Sequence, residues 1–181
     1  MSQFDLAVAY ILKNEGGLEE NERDPAGITN HGISLRFLKA LTPEKRKTYR
    51  LNNDEPQSDD IRNLTESQAT AIYFGEFWTH APFDKINNQN ACNYLFDAAA
   101  NMGIAPAIKC AQRACWSVMK EKDKPIEDGI LGLETIAAIN QCAVYFMPAV
   151  RSERAGEYRL IAEKNPTEKE FLDGWLSRSY K

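Results

Sequence analysis

Histidine is nearly absent from this chain, with two residues in 181, and no set of histidines and cysteines is spaced as ligands would be. That argues against a metal site, and nothing else in the sequence asks for a cofactor. Cysteine is scarce too. Cys92, Cys110, Cys115 and Cys142 form no CxxC pair, and each falls in an apolar helical pattern. They read as small buried hydrophobes; disulfides would require an oxidising compartment. Excess positive charge is missing, with 22 basic against 26 acidic residues and a net charge of -4. A dedicated nucleic-acid binder needs a basic surface to neutralise phosphate, so that class is disfavoured. No apolar run reaches the roughly 18 residues of a membrane span. The opening stretch up to Gly17 has no basic n-region and is interrupted by Asp5 and Lys13, so it is not read as a signal peptide, and synthesis in the cytoplasm is expected. There is no internal repeat and no linker rich in glycine, serine or proline, so a freely tethered domain is not expected.

What is present is an ordinary globular composition, 43% hydrophobic and 27% charged. A chain of this length can bury roughly 70% of its unfolded surface without disulfides or metal, and a monomer is expected. The apolar periodicity is helical almost throughout. Phe4, Ala7, Val8, Ile11 and Leu12 form one stripe, opened by Ser2 with Asp5 at the capping-box position and stopped by Gly16-Gly17. Residues 18–32 are polar and rich in turn formers, which predicts a loop or a short β-hairpin. A second helix is predicted after Ser34, another behind the Thr42-Pro43 start, a surface loop over 52–60, and a helix behind Thr65 and Gln68 running through Ile72, Tyr73 and Phe77. Cys92, Leu95, Phe96 and Ala99 mark a buried helix stopping near Gly103, and Pro106 opens the next. Helices are then predicted over Leu133 to Phe146, from Met147-Pro148 to about Lys164, and after Asn165-Pro166-Thr167. The fold class is all-α, with a short hairpin as its only candidate sheet.

Three residues stand out as candidates for chemistry. Glu15 continues the apolar stripe of the first helix, four residues after Ile11. Hydrophobic neighbours and the negative end of the helix dipole both favour a protonated carboxyl, the form a general acid uses. Asp24 follows nine positions later in a polar loop where it is expected to stay ionised; a turn-former before Pro25 is the plainer reading of it. Two carboxyls in opposed environments are what glycoside hydrolysis requires. Thr29, five positions on, is a candidate to orient a water.

The spacing of Glu15, Asp24 and Thr29 resembles the catalytic triad of phage-type lysozymes. The longer string Glu15-Gly16-Gly17, then Asp24-Pro25-Ala26-Gly27-Ile28-Thr29-Asn30-His31-Gly32-Ile33, resembles the opening motif of glycoside hydrolase family 108, which includes phage endolysins and proteins once called secretion activators. The likeness continues through Ile72 to Trp78, through Phe96-Asp97 with Asn101-Met102-Gly103, through Ala111 to Ala114 and Asp128 to Asn140, and through Gly174 to Arg178. The family usually has glycine at the position of Ala26 and often an aromatic at that of Leu18.

The resemblance implies a lysozyme-like fold that cleaves the β-1,4 bond between N-acetylmuramic acid and N-acetylglucosamine, with Glu15 as acid. It implies bacterial peptidoglycan as partner, a catalytic region over 1–90 and a peptidoglycan-binding region over 91–181 packed with it. Action on the wall would follow release or holin-type export. Asn30, His31, Tyr73, Trp78, Asp97 and Asn101 are candidates to contact substrate, with core packing the competing reading for Tyr73 and Trp78 and a structural role preferred for Asp97 and Asn101. Alternatives left open are a non-catalytic wall-binding or regulatory protein, a lytic transglycosylase and a chitosanase.

Overall fold

In the computed structural model, which describes residues 1–20, 27–51 and 55–181, Ser2 caps the first helix as the sequence predicts. Its hydroxyl accepts from the Asp5 amide, and the Asp5 carboxylate accepts in return from the Ser2 amide. Each bond satisfies an amide that the region of a helix start would otherwise leave without a partner. The helix, α1 (Gln3–Glu15), buries Ala7, Val8 and Ile11 and ends at Gly16.

The chain forms two compact units, Met1–His80 and Ala81–Lys181. In the first, α1 is followed by β1 (Glu19–Glu20), β2 (Ile28–Asn30), β3 (Ile33–Ser34), α2 (Leu35–Ala40), α3 (Pro43–Thr48), α4 (Ser58–Arg62) and α5 (Glu66–Glu76). The strands make one antiparallel sheet in chain order, with Glu19 opposite Thr29 and Asn30 opposite Ile33. The hairpin expected near 18–32 is therefore present and extends one strand further. His31 and Gly32 form its second turn, both at positive φ, 51° and 76°, as a two-residue type I′ turn requires. Ser34, Thr42 and Thr65 each accept a backbone N–H at a helix start. Ile11, Leu38, Ile61, Ala69 and Ile72 are fully buried and form the core of this unit.

The loop predicted over 52–60 needs correction at its end, because α4 begins at Ser58. The Gln57 amide donates to Asp60 Oδ2 at 2.7 Å, and Ile61 is buried. A cap and one apolar anchor suffice for a short helix that tertiary packing completes.

A polar cluster ties α3 to α5. Glu76 accepts from Lys45 at 2.7 Å and from the Tyr49 hydroxyl at 2.6 Å. Burial pushes the Glu76 carboxyl up, but Lys45, Tyr49 and His80 outweigh it and hold the group below its usual 4.5. A carboxyl depressed in the folded state stabilises the fold above its unfolded value, and this is lost as pH falls through the lower folded value. Glu76→Gln is thus expected to cost about 1 kcal/mol or less at pH 7, since Lys45 is half exposed. The gap to wild type should close as pH drops below about 4, which urea titrations at neutral and acid pH would read.

The second unit contains α6 (Gln89–Met102), α7 (Ile104–Trp116), α8 (Leu133–Cys142), α9 (Phe146–Lys164) and α10 (Leu172–Ser179). Helix α7 packs against α6, α8 and α9. Its buried residues are mostly small, Ala107, Ala111, Ala114 and Cys115 among them, which permits close approach. All four cysteines are free and buried. Burial pushes the Cys92 thiol up to about 12 and that of Cys110 to about 11, consistent with packing rather than reactivity.

The helix predicted to run unbroken from Leu133 to Phe146 ends at Cys142. Ala143 takes a positive φ of 47°, and α9 starts at Phe146. The pattern there is apolar on both sides of the break, so periodicity does not mark it. The DGILG segment behaves as its turn chemistry predicts. Asp128 Oδ1 accepts from the Ile130 amide at 2.8 Å, and Gln112 Nε2 donates to the same oxygen at 2.7 Å. Gln112 Oε1 accepts from the Gly129 amide at 3.0 Å. Buried Gln112 thus holds the turn that leads into α8.

Candidate active site

Glu15 is the last residue of α1 and is half-buried. Its surroundings follow from the His31-Gly32 turn. A Cβ built on Gly32 would lie 2.5 Å from Tyr73 Oη and 2.7 Å from both Cγ and Cδ of Glu15. Ordinary carbon contacts are about 3.5–4.0 Å. Only glycine leaves room for the acid side chain and the phenol, and only glycine takes φ of 76° at no steric cost. Tyr73 is 2% exposed and donates from its hydroxyl to the His31 carbonyl at 3.0 Å, so α5 supports the turn directly. Three separate elements, the end of α1, the β2–β3 turn and α5, therefore converge on Glu15.

The other predicted residues are distributed less simply. Thr29 sits mid-strand in β2, half-buried, opposite Glu19 and Ser34. His31 is half-buried in the turn itself. Trp78 packs edge-on against Phe4 at a centroid distance of 5.3 Å. Phe4 lies at the opposite end of α1 from Glu15, about 16 Å along the axis by helical rise, so Trp78 belongs with that aromatic cluster and not with the acid. Asp24 lies outside the described residues.

Two of the candidate substrate contacts, Asn30 and Asp97, are engaged in internal bonds, in line with the structural role preferred for Asp97. Asn30 is 7% exposed, and its side-chain amide donates to the Ile61 carbonyl at 3.0 Å and to that of Leu64 at 3.4 Å. It anchors the sheet to the end of α4. Asp97 is 1% exposed and is held by two arginines: Arg154 Nη1 is 2.8 Å from Oδ2, and Arg178 Nη2 is 2.6 Å from Oδ1. Its oxygens face guanidinium groups, leaving no surface for a sugar. Asn101 is exposed on the same helix, and its side-chain oxygen accepts from the Tyr158 hydroxyl.

Reading the sequence did not single out Gly32 as a neighbour of the acid, nor Arg154 as a core residue. The first was findable, since a glycine in a two-residue link between apolar alternations marks a primed turn. The second left one signal, a carboxylate in the apolar stripe of α6 that needed a buried partner.

Residues 8–103 match the family model described as Glycosyl hydrolase 108. The chain belongs to that family. Residues 106–180 match a second model, described as a Predicted Peptidoglycan domain. Among solved structures, "Structure of Brucella abortus SagA" is similar over 97% of this chain and 88% of that one, at 26% identity and a TM-score of 0.72. No curated protein matches the chain. The all-α, lysozyme-like class with a short antiparallel sheet, expected from the sequence, is the one observed for this family member.

Proposed function

We propose that this glycosyl hydrolase 108 member cleaves the β-1,4 bond between N-acetylmuramic acid and N-acetylglucosamine in peptidoglycan, with Glu15 as general acid. The observation that carries the reading is the convergence on Glu15 of the Gly32 turn and Tyr73, inside the span that matches the hydrolase family. A proton donor must be held within hydrogen-bond reach of the leaving oxygen, and the Glu15 side chain rests against the Gly32 backbone close to the buried Tyr73 phenol. In this reading Asp24 supplies the ionised carboxylate that stabilises the oxocarbenium-like centre, and Thr29 assists a water. The match over 106–180 supports peptidoglycan as the polymer. That polymer lies outside the cytoplasmic membrane, so the enzyme would act after release or holin-type export.

The test is mass spectrometry of fragments released from purified peptidoglycan by wild type and by Glu15→Gln. Reducing muramic acid ends, absent with the variant, are expected. A 1,6-anhydro end would identify a transglycosylase instead, and binding without release would identify a non-catalytic wall protein.

Gly32→Ala offers an independent check. The added methyl must displace Glu15 or Tyr73 and strains the turn, at a cost of about 1–3 kcal/mol. Turnover is expected to fall by at least about tenfold, more than thermal melting alone explains. Unchanged turnover in folded protein would show that the acid does not depend on this turn.

A further inference from the structure

The second unit carries a cavity of about 350 Å³ lined by Arg159, Ala162, Glu163, Pro166, Lys169 and Leu172. Arg159, Ala162 and Glu163 share one face of the last turns of α9, at positions i, i+3 and i+4. The chain then folds back through a 3-10 segment, Pro166–Phe171, and Leu172 opens α10. The floor is apolar, with Ala162 buried and Leu172 half-buried. The rim carries two cations and one carboxylate, all exposed.

Among the described residues none of these three rim charges forms an ion pair, although Arg159 and Glu163 stand at helical pairing distance. Two half-buried arginines of the same unit behave differently. Arg113 is engaged by Glu127, Glu153 and Glu157 at 2.9 Å each, and Arg178 by Asp97. The volume falls within the range of small-molecule sites.

We propose that this cavity binds the peptide arm of peptidoglycan: a short peptide with free carboxylates, one free amine and small apolar side chains. Arg159 and Lys169 would take carboxylates, Glu163 the amine, and the Ala162–Leu172 floor an alanine methyl. The lining is wrong for the glycan. In the wall the N-acetylated sugars are neutral, because each lactyl carboxyl of muramic acid is taken up in the amide to the peptide, and such sugars are held by aromatic faces and neutral hydrogen-bonding groups, whereas this cavity has no aromatic side chain and a rim charged with both signs. It lies within residues 106–180, which match the peptidoglycan domain model. The proposal rests on peptidoglycan as the polymer and names which part of it the second unit recognises.

The probe is a synthetic N-acetylated alanyl-γ-glutamyl-diaminopimelyl-alanine peptide, titrated calorimetrically into the full chain beside an uncharged N-acetylglucosamine oligomer. Saturable binding of the peptide is expected, weakening with added salt and falling by at least about tenfold in Arg159→Glu/Lys169→Glu. Both substitutions are on exposed side chains, and an unchanged melting curve would show that the fold persists. A second variant, Ala162→Trp, fills the floor without changing charge and should also lower affinity. No saturable binding by wild type, or equal affinity in the charge-reversed variant, overturns the proposal. Hydrolysis by wild type is assayed separately. Hydrolysis without peptide binding sinks this site alone, while peptide binding without hydrolysis leaves it standing and sinks the catalytic reading.

Discussion

Glu15→Gln is expected to lower peptidoglycan solubilisation by about 10²–10⁴-fold, the usual contribution of a general acid, with the fold intact. Glutamine matches glutamate in size and shape, so the packing against Gly32 and Tyr73 is kept. What disappears is the transferable proton. Without it the leaving sugar oxygen departs as an alkoxide, and the barrier rises accordingly. The effect should appear in kcat with little change in KM, because the carboxamide still fills the space beside the turn. Glu15→Ala should be no more active but less stable, since it also opens a gap against Tyr73. Product release is read as soluble reducing ends, and the fold by circular dichroism. Glu15→Gln at wild-type rate would remove Glu15 from the chemistry.

The largest stability effect is expected at Asp97. This carboxylate is 1% exposed and faces Arg154, which is 0% exposed. Burial works against the Arg154 charge, but Tyr158, Asp97 and Tyr94 outweigh it and raise its pKa above the ordinary arginine value. The guanidinium also lies over the Tyr94 and Tyr158 rings, 5.2 and 5.6 Å from their centroids, and donates to Tyr158 Oη at 3.2 Å. Asp97→Ala leaves that cation in the core without its counter-charge, which costs about 3–5 kcal/mol. For a unit of this size the melting transition should fall by at least about 10 °C. Arg178 is partly exposed and can turn to water; Arg154 cannot. Asp97→Leu combined with Arg154→Met should therefore be more stable than Asp97→Ala, because an apolar pair removes the stranded charge. Equal melting of wild type and Asp97→Ala would show that the pair contributes nothing to the fold.

Asp97 also shows how differently two carboxylates in apolar stripes can be used. Glu15 and Asp97 look alike along the chain, each an acid continuing a hydrophobic helix face. Glu15 ends its helix and meets a glycine turn. Asp97 lies mid-helix and is matched by arginines 57 and 81 positions away. Periodicity identifies both as unusual. It does not say which has a charged partner, because that partner arrives from a distant segment. The same reasoning separates Thr65 from Ala143. A cap is made by residues three apart, so Thr65 and Gln68 announce a helix start locally. The break at Ala143 has no local marker.

By itself the sequence determined the helical class, most helix starts, the family and the place of Glu15 at the end of α1. These depend on spacings of a few residues, where side chain and backbone meet whatever the rest of the chain does. Only the tertiary structure decided that Gly32 is the surface against which Glu15 rests, that Asn30 and Asp97 are spent on internal bonds, and that Arg159, Glu163 and Lys169 ring one cavity. Each of those depends on contact between segments far apart in the chain, set by how apolar faces pack, and no local pattern encodes it.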